Sequence, residues 1–334
     1  MPFCTRFIKT IKSYKLKILI IRFSSIGDVV LTSPIVRCIK EQQKCTVHYV
    51  VKRGYLKVLE NNPHIDKLHV FNDSVKEVFS ELKKEKFDLV FDLQNNAKSL
   101  SIKSHIKTKT HTVNKKNWQK LLLIYFRRNV LKDHVVDRYF ACIAKAGFYN
   151  DNKGLEYHIP SDVSVNYDIS KPFIVWSVGA SFYKKKLSEK QILEVCNRLT
   201  CRIVLVGGPG DQDLAASIAK KTVNPALSNF CGTLSLNESA YLVNKSGLVL
   251  TNDTGVMHIA AAFNKKTISF WGCTKPSIGF GPLIDASRSI TVLSNNSEFP
   301  CSKHGKYCRF QSDGCIKTIP TDEIYKAVIA MGFS

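Results

Sequence analysis

The chain has 334 residues, long enough for two average domains, and 44% of them are hydrophobic, enough to fill real cores. Charged residues make up 23%, with 17 Gly and 11 Pro, which excludes collagen-like, disordered and low-complexity classes. Lys and Arg outnumber Asp and Glu by 49 to 27, a net charge of +22 that points to anionic company: nucleic acid, a membrane surface or a phosphorylated substrate.

At the start of the chain, Phe3, Phe7, Ile11 and Tyr14 fall at helical spacing with Arg6, Lys9, Lys12 and Lys15 between them. That pattern reads either as an interfacial basic helix or as a frayed basic extension. The same lysines interrupt every apolar stretch there, so a signal-peptide core is not expected, and no apolar run reaches the length of a spanning helix. Eleven cysteines scattered from Cys4 to Cys315 suit free thiols in a reducing cytoplasm rather than a disulfide framework.

Strand-like runs then alternate with helical patterns. LKILIIR (16–22) is followed by the turn-like SSIGD and by Val29, Val30, Ile35, Val36 and Ile39 at helical spacing; CTVHYVV (45–51) precedes a helix near 54–61, and FDLVFDL (87–93) follows one near 74–84. The alternation restarts with PFIVWSVG (172–179), a helix near 188–199, CRIVLVGG (201–208), a helix at 211–221, GLVLTND (247–253), a helix at 255–263, and KTISFWG (266–272). The expectation is α/β: two parallel, doubly wound domains, 1–165 and 166–334, with the ligand site in the cleft between them. The last helix, about 321–331, is assigned to neither half and could pack back on the first.

Three strand ends carry candidate chemistry. Asp28, after Phe23-Ser24-Ser25-Ile26-Gly27, stands either as a catalytic carboxylate or as a helix cap. Thr251-Asn252-Asp253-Thr254-Gly255-Val256-Met257-His258 runs a strand into a helix start, a ready phosphate site in which His258 is either a ligand or a structural histidine. Val178-Gly179-Ala180-Ser181 leads into Lys184, Lys185 and Lys186, which could neutralise a pyrophosphate or simply be solvated. Gly207-Gly208-Pro209-Gly210-Asp211 lacks the order of a dinucleotide fingerprint, and no phosphate loop of the ATPase type is present. Between Lys98 and Arg138, eleven Lys or Arg face only Asp133 and Asp137, with Trp118 and Tyr125 interleaved. Cys301, Cys308 and Cys315, with His304 between them, could supply four metal ligands, although their spacing matches no tight zinc motif and ordinary thiols are the simpler expectation.

With these loops in hand, the chain resembles the bacterial heptosyltransferases of lipopolysaccharide core assembly, inverting glycosyltransferases of the GT-B fold that use ADP-heptose. The carriers are IIRFSSIGDVVLTSP (20–34), FDLQNNAKS (91–99), WSVGASFYKKKLS (176–188), VLVGGPGDQDLA (204–215), CGTLSL (231–236) and TNDTGVMHIAAAF (251–263), spread over nearly the whole chain. The resemblance implies Asp28 as general base. It implies Ser181, Lys185, Asp211, Leu234, Asp253, Thr254, Gly255 and His258 as the donor side, with Asp211 on the ribose, Leu234 against the adenine, and the last four on the diphosphate. Lys184 and Lys186 stay rivals of Lys185, because Leu187-Ser188 stands where the family usually has Trp-Pro. Ser25, Gly27, Lys52, Arg53, Gln94, Lys115 and Lys116 are assigned to the acceptor. The resemblance further implies transfer without a metal or cofactor, and a monomer in the cytoplasm that meets an acidic lipid-linked glycan at the anionic inner face of the inner membrane. A relative transferring another sugar is the nearest rival. A nucleic-acid-binding protein has only the charge in its favour, and a nicotinamide dehydrogenase lacks its glycine fingerprint after the first strand.

Overall fold

The computed structural model describes residues 15–334; the stretch from Phe3 to Tyr14, read as either an interfacial basic helix or a frayed extension, lies outside them. Strands β1 (Leu16–Ile21), β2 (Cys45–Lys52), β3 (Lys67–Phe71), β4 (Leu89–Asp92) and β5 (Thr110–Thr112) form one sheet in the order β3-β2-β1-β4-β5. Strands β6 (Phe173–Ser177), β7 (Arg202–Val206), β8 (Leu227–Asn229), β9 (Leu248–Asn252), β10 (Thr267–Trp271) and β11 (Ser289–Leu293) form the second, ordered β11-β10-β9-β6-β7-β8. Every pairing is parallel, with Ile18 facing Val47 on one side and Leu89 on the other. Strands buried on both faces need continuous apolar runs, which is why LKILII and FIVWS are legible as strands.

β3, β5, β8 and β11 are absent from the expected elements, and they are the four sheet edges. Edge strands are short and half-solvated, so THT and LSN carry no apolar signature. The helical pattern after β1 divides into Ile26–Val30 and Ser33–Gln42, because Pro34 has no N–H to continue the first helix and is accepted in the opening turn of the second.

The chain changes domain gradually. Asp151 and Glu156 still bind Arg37 of the first half, Tyr157 gives its hydroxyl to Asn237 of the second at 2.7 Å, and Tyr167 packs edge-on against Phe173 and Phe230. The last helix, Thr321–Ala330, packs on Glu189–Arg198 of the second half, where Gln191 Nε2 donates to the Ile319 carbonyl at 2.8 Å and Thr321 Oγ1 to Glu194 at 2.6 Å. It therefore does not return to the first half.

One face of each sheet shares a single apolar cluster running from Ile18 and Tyr49 through Tyr157 to Val175 and Ile259, while each outer face has its own. One backbone and one side-chain hydrogen bond tie the halves together. Val135 N donates to Gly279 O at 2.9 Å, and Lys303 Nζ reaches Asn117 Oδ1 at 3.1 Å. Among the described residues no helix is long and apolar enough to cross a membrane.

Candidate active site

In each sheet the chain reverses direction of growth beside its first strand, β1 between β2 and β4 and β6 between β7 and β9. Loops leaving the carboxyl ends of such strands diverge and leave a crevice. Here the two crevices face one another and form a cleft of about 540 Å³.

The wall from the first domain is built around Asp28. Ser25 caps the short helix Ile26–Val30, and Asp28, at its third position, closes the capping box: Oδ2 accepts from the Ser25 amide at 3.3 Å and hydroxyl at 3.1 Å. Oδ1 takes the Arg22 guanidinium at 2.6 Å, and Arg22 is itself fixed by the carbonyls of Ser24 (3.0 Å) and Leu93 (2.9 Å). The cap and the cleft-facing carboxylate are thus one residue. Burial favours the neutral acid, but the Arg22 charge and the Ser25 hydrogen bonds outweigh it and hold the carboxyl below its ordinary value. Three of a carboxylate's roughly four lone-pair sites are used, so an ionised Asp28 keeps one for an incoming hydroxyl.

The facing wall comes from the ends of β6, β9 and β10. Lys185 Nζ lies 2.6 Å from Asp253 Oδ2, which also accepts the Thr274 hydroxyl at 2.8 Å. Thr254 begins the helix Gly255–Ala262 without capping it by its side chain, leaving the first amides of that helix unpaired by the cap. Of the three adjacent lysines, Lys185 lines the cleft, Lys186 pairs with Asp211, and Lys184 turns its backbone toward Gly314. Leu187 is buried and Ser188 caps the helix Glu189–Arg198, so the departure from Trp-Pro sits behind the cleft.

Two glycines let the walls meet. A Cβ on Gly27 would lie 2.6 Å from the His258 ring, and one on Gly255 would lie 2.6 Å from Ile26. Burial and the neighbouring His134 push the His258 pKa down to about 4, so the ring is neutral, and its Nδ1 is buried without a hydrogen-bond partner.

The lining holds eight Lys or Arg against Asp28 and Asp253. Desolvation lowers Lys115 and Lys303, and together with Arg138 and Lys303 it brings Lys120, which lies over the Phe280 ring, down to about 7. An entering anion would favour the charged form of each.

Of the residues singled out in the sequence, Ser25, Gly27, Asp28, Gln94, Lys115, Ser181, Lys185, Asp253, Thr254, Gly255 and His258 line this cleft. Asp211 and Leu234 lie beyond it, after the carboxyl ends of β7 and β8. Lys52, Arg53 and Lys116 are not in the lining; Arg53 binds Asn72 and Lys116 pairs with Asp133. Sequence reasoning missed Arg22, Lys120, Arg138, Thr274, Lys275, Lys303 and Lys306, all in the lining. Lys120 and Arg138 belonged to the basic segment; nothing in local sequence separates them from their solvated neighbours. His304 also faces the cleft, while Cys301, Cys308 and Cys315 gather with Cys273 instead. Two further groups have metal-ligand proximity, His48–His69–Glu85 and His64–Glu156–His158, neither in the cleft.

The sequence profile of Glycosyltransferase family 9 (heptosyltransferase) matches residues 75–311. The chain belongs to that family. It is 24% identical to Lipopolysaccharide heptosyltransferase 1 of Campylobacter coli, over 94% of this chain and 98% of that protein. Among solved structures, the family 9 glycosyltransferase from Veillonella parvula DSM 2008 superposes with a TM-score of 0.78 at 18% identity, covering 96% of this chain and 99% of that one. E. coli heptosyltransferase WaaC with ADP gives 0.70 at 18% identity, covering 95% and 100%. The two-domain architecture is therefore the GT-B fold of the family 9 enzymes.

Proposed function

We propose that this family 9 enzyme transfers a heptose from ADP-heptose, with inversion, to the acidic inner core of a lipopolysaccharide acceptor. The observation that carries the reading is the cleft itself: one carboxylate with a lone pair to spare on one wall, and Lys185 with a free helix start on the other, in a lining of eight cations and two acids. Such a lining suits a donor with two phosphates and an acceptor that is itself anionic. The names of the curated relatives, heptosyltransferases of lipopolysaccharide or lipooligosaccharide, agree with the heptose and with the class of acceptor.

In this reading the diphosphate lies across Lys185, Thr254 and the Gly255 amide. The nucleoside extends toward Asp211 and Leu234 at the ends of the next two strands outward. The acceptor hydroxyl enters beside Asp28, Ser25 and Gln94. Inverting transfer needs one base on the incoming face and charge stabilisation on the leaving face. Asp28 takes the hydroxyl proton as the oxygen attacks the anomeric carbon, and the C–O bond to the diphosphate breaks with its electron pair going to the phosphate oxygen. A carboxylate held low is a weak base, so its effect rests on placement at the one proton that must move. Lys185, Lys303 and Lys306 supply positive charge toward the leaving phosphate, and the transfer step is assigned no metal. Closure of the two domains excludes water that would hydrolyse the donor.

The membrane reading rests on the stretch after the cleft-lining Lys115. Trp118, Tyr125, Phe126 and Val130 are each more than half exposed beside Arg127, Arg128 and Lys132, a combination suited to the headgroup region of an anionic bilayer at the cytoplasmic face.

The test is transfer from ADP-heptose to a deacylated Kdo-containing core acceptor, read by product mass, beside calorimetric titration with ADP, GDP and UDP. Transfer with ADP preference supports the proposal. A preference for GDP or UDP would retain glycosyl transfer and discard the heptose donor.

A further inference from the structure

Four cysteines stand apart from the catalytic cleft. Cys273 follows β10, and Cys301, Cys308 and Cys315 come from the loop before the last helix; all four are buried and free, and their Sγ atoms lie within 4.8 Å of one another. They form a cluster with no other apolar residue in it. Other buried cysteines, such as Cys142 and Cys196, are instead absorbed among aliphatic side chains of the main cores.

The loop that carries them needs another source of order. From 301 to 314 it contains neither helix nor strand, and its buried residues are Cys301, Cys308, Gly305 and Gly314. No aliphatic side chain of this stretch enters a core, yet the loop is held closely: Cys301 N donates to Cys273 O at 2.8 Å, and a Cβ on Gly314 would lie 2.6 Å from the Lys184 carbonyl. A tetrathiolate ion supplies what such a stretch lacks, since structural metal sites contribute folding free energy directly.

The geometry fits that ion. A tetrahedral centre with metal–sulfur bonds of about 2.3 Å places its sulfurs about 3.8 Å apart; Cys301 Sγ lies 3.7 Å from Cys315 Sγ, and the Cys308–Cys315 pair, at 2.9 Å, has to open by about 0.9 Å to take up the ion. The Cys315 amide points at Cys273 Sγ (3.4 Å) and the Gln311 amide at Cys308 Sγ (3.3 Å), the outer hydrogen bonds that stabilise thiolates. Four thiolates around a divalent ion leave a net charge of about −2. Lys275, buried two residues after Cys273 with its Nζ on Ser294, offsets part of it.

We propose that Cys273, Cys301, Cys308 and Cys315 bind one tetrahedral thiophilic metal ion, Zn2+ or Fe2+, which folds the 301–315 loop against the cleft. An all-sulfur donor set selects these over Mg2+ or Ca2+. On binding, four thiols release their protons and donate a sulfur lone pair each; no electron is transferred. The site is structural, because no ligand position faces the cleft. Its consequence is positional: the loop brings Lys303, His304 and Lys306 to the lining, and a Cβ on Gly305 would lie 2.5 Å from the Lys185 stem.

The deciding measurement is elemental analysis of the whole protein, purified without chelator or nickel resin. About one zinc or iron per chain is expected, and which of the two is found names the ion. Replacement by Co2+ after acid removal and reduction should give thiolate-to-cobalt charge-transfer bands, and hydrogen exchange should show 301–315 opening when the metal is removed. Cys308→Ser should lose the ion, whereas Cys201→Ser should keep it. Protein that holds neither metal and gives no cobalt spectrum overturns the proposal, as does an intact mass showing a disulfide among the four. Both readings use the unaltered chain, so they decide the matter even where Cys308→Ser fails to fold. Metal retained by a folded Cys308→Ser, or unchanged exchange in the metal-free protein, also overturns it.

Discussion

The two walls of the cleft are built in opposite ways. The Asp28 wall is local: strand, cap and carboxylate lie within Leu16–Asp28, and only the Leu93 carbonyl comes from elsewhere to fix Arg22. The facing wall is assembled from four distant segments, Lys185, Asp253–Gly255, Thr274 and the 301–315 loop, each delivered by a different strand end or by the cysteine cluster. A proton-accepting group must be placed to a fraction of an ångström, and a short capped helix does so with few parts. A doubly charged leaving group tolerates a distributed field, so its cations can come from many places.

If the division of labour is real, Asp28→Asn should lower kcat by about 10²–10⁴-fold while ADP binding stays as it was. Amide in place of carboxylate keeps the shape and the Ser25 cap, so steady-state kinetics beside calorimetry separates the two effects; a loss of ADP affinity of similar size would merge the walls. Lys185→Met should do the reverse. Removing a charge-assisted contact of about 1.5–3 kcal/mol weakens ADP roughly 10- to 150-fold, and unchanged affinity would move the donor site away from Asp253.

Gly27→Ala probes the contact between the walls. Its Cβ would meet the His258 ring at 2.6 Å, and overpacking of this kind costs about 1–3 kcal/mol. A lowered urea midpoint with an unaltered m-value is expected; a variant as stable as the parent would show that the walls give way freely.

The smallest effect is electrostatic. Burial, followed by the Arg138 and Lys303 charges, brings Lys120 down to about 7 from 10.5. Between those values the unfolded chain holds a proton that the folded chain has released, so stability contributed at this site rises with pH across the window and is least below it. Lys120→Met should therefore be more stable than the parent at neutral pH, and the gap should shrink as pH rises from about 7 to about 9.5. Urea denaturation at both pH values measures this. A gap that widens with pH would show Lys120 to be stabilised as a cation, making that region part of the phosphate wall in its resting state.

Much of this was legible in the chain. Central strands such as LKILII and LVLTN are apolar because both faces are covered, and covered faces leave a one-dimensional signal. Asp28 and the run from Asp253 to His258 were legible because a strand end entering a helix puts its chemistry in consecutive residues. The edge strands THT and LSN were not, since solvent on one side removes the need for apolar side chains. Lys115, Lys120 and Arg138 look no different in sequence from the other basic residues of their segment, yet they turn into the cleft while Lys103 pairs with Asp92.

By itself the sequence determined the alternation of strands and helices, the two parallel domains and the loops at their switch points, because these follow from local hydrophobic periodicity and turn chemistry. Tertiary structure alone decided which of three adjacent lysines meets Asp253, that Cys273 joins cysteines 28 or more residues away, and that the last helix stays with the second domain. Those outcomes depend on distances between segments far apart in the chain, and such distances are set by packing of the whole core rather than by any neighbouring residue.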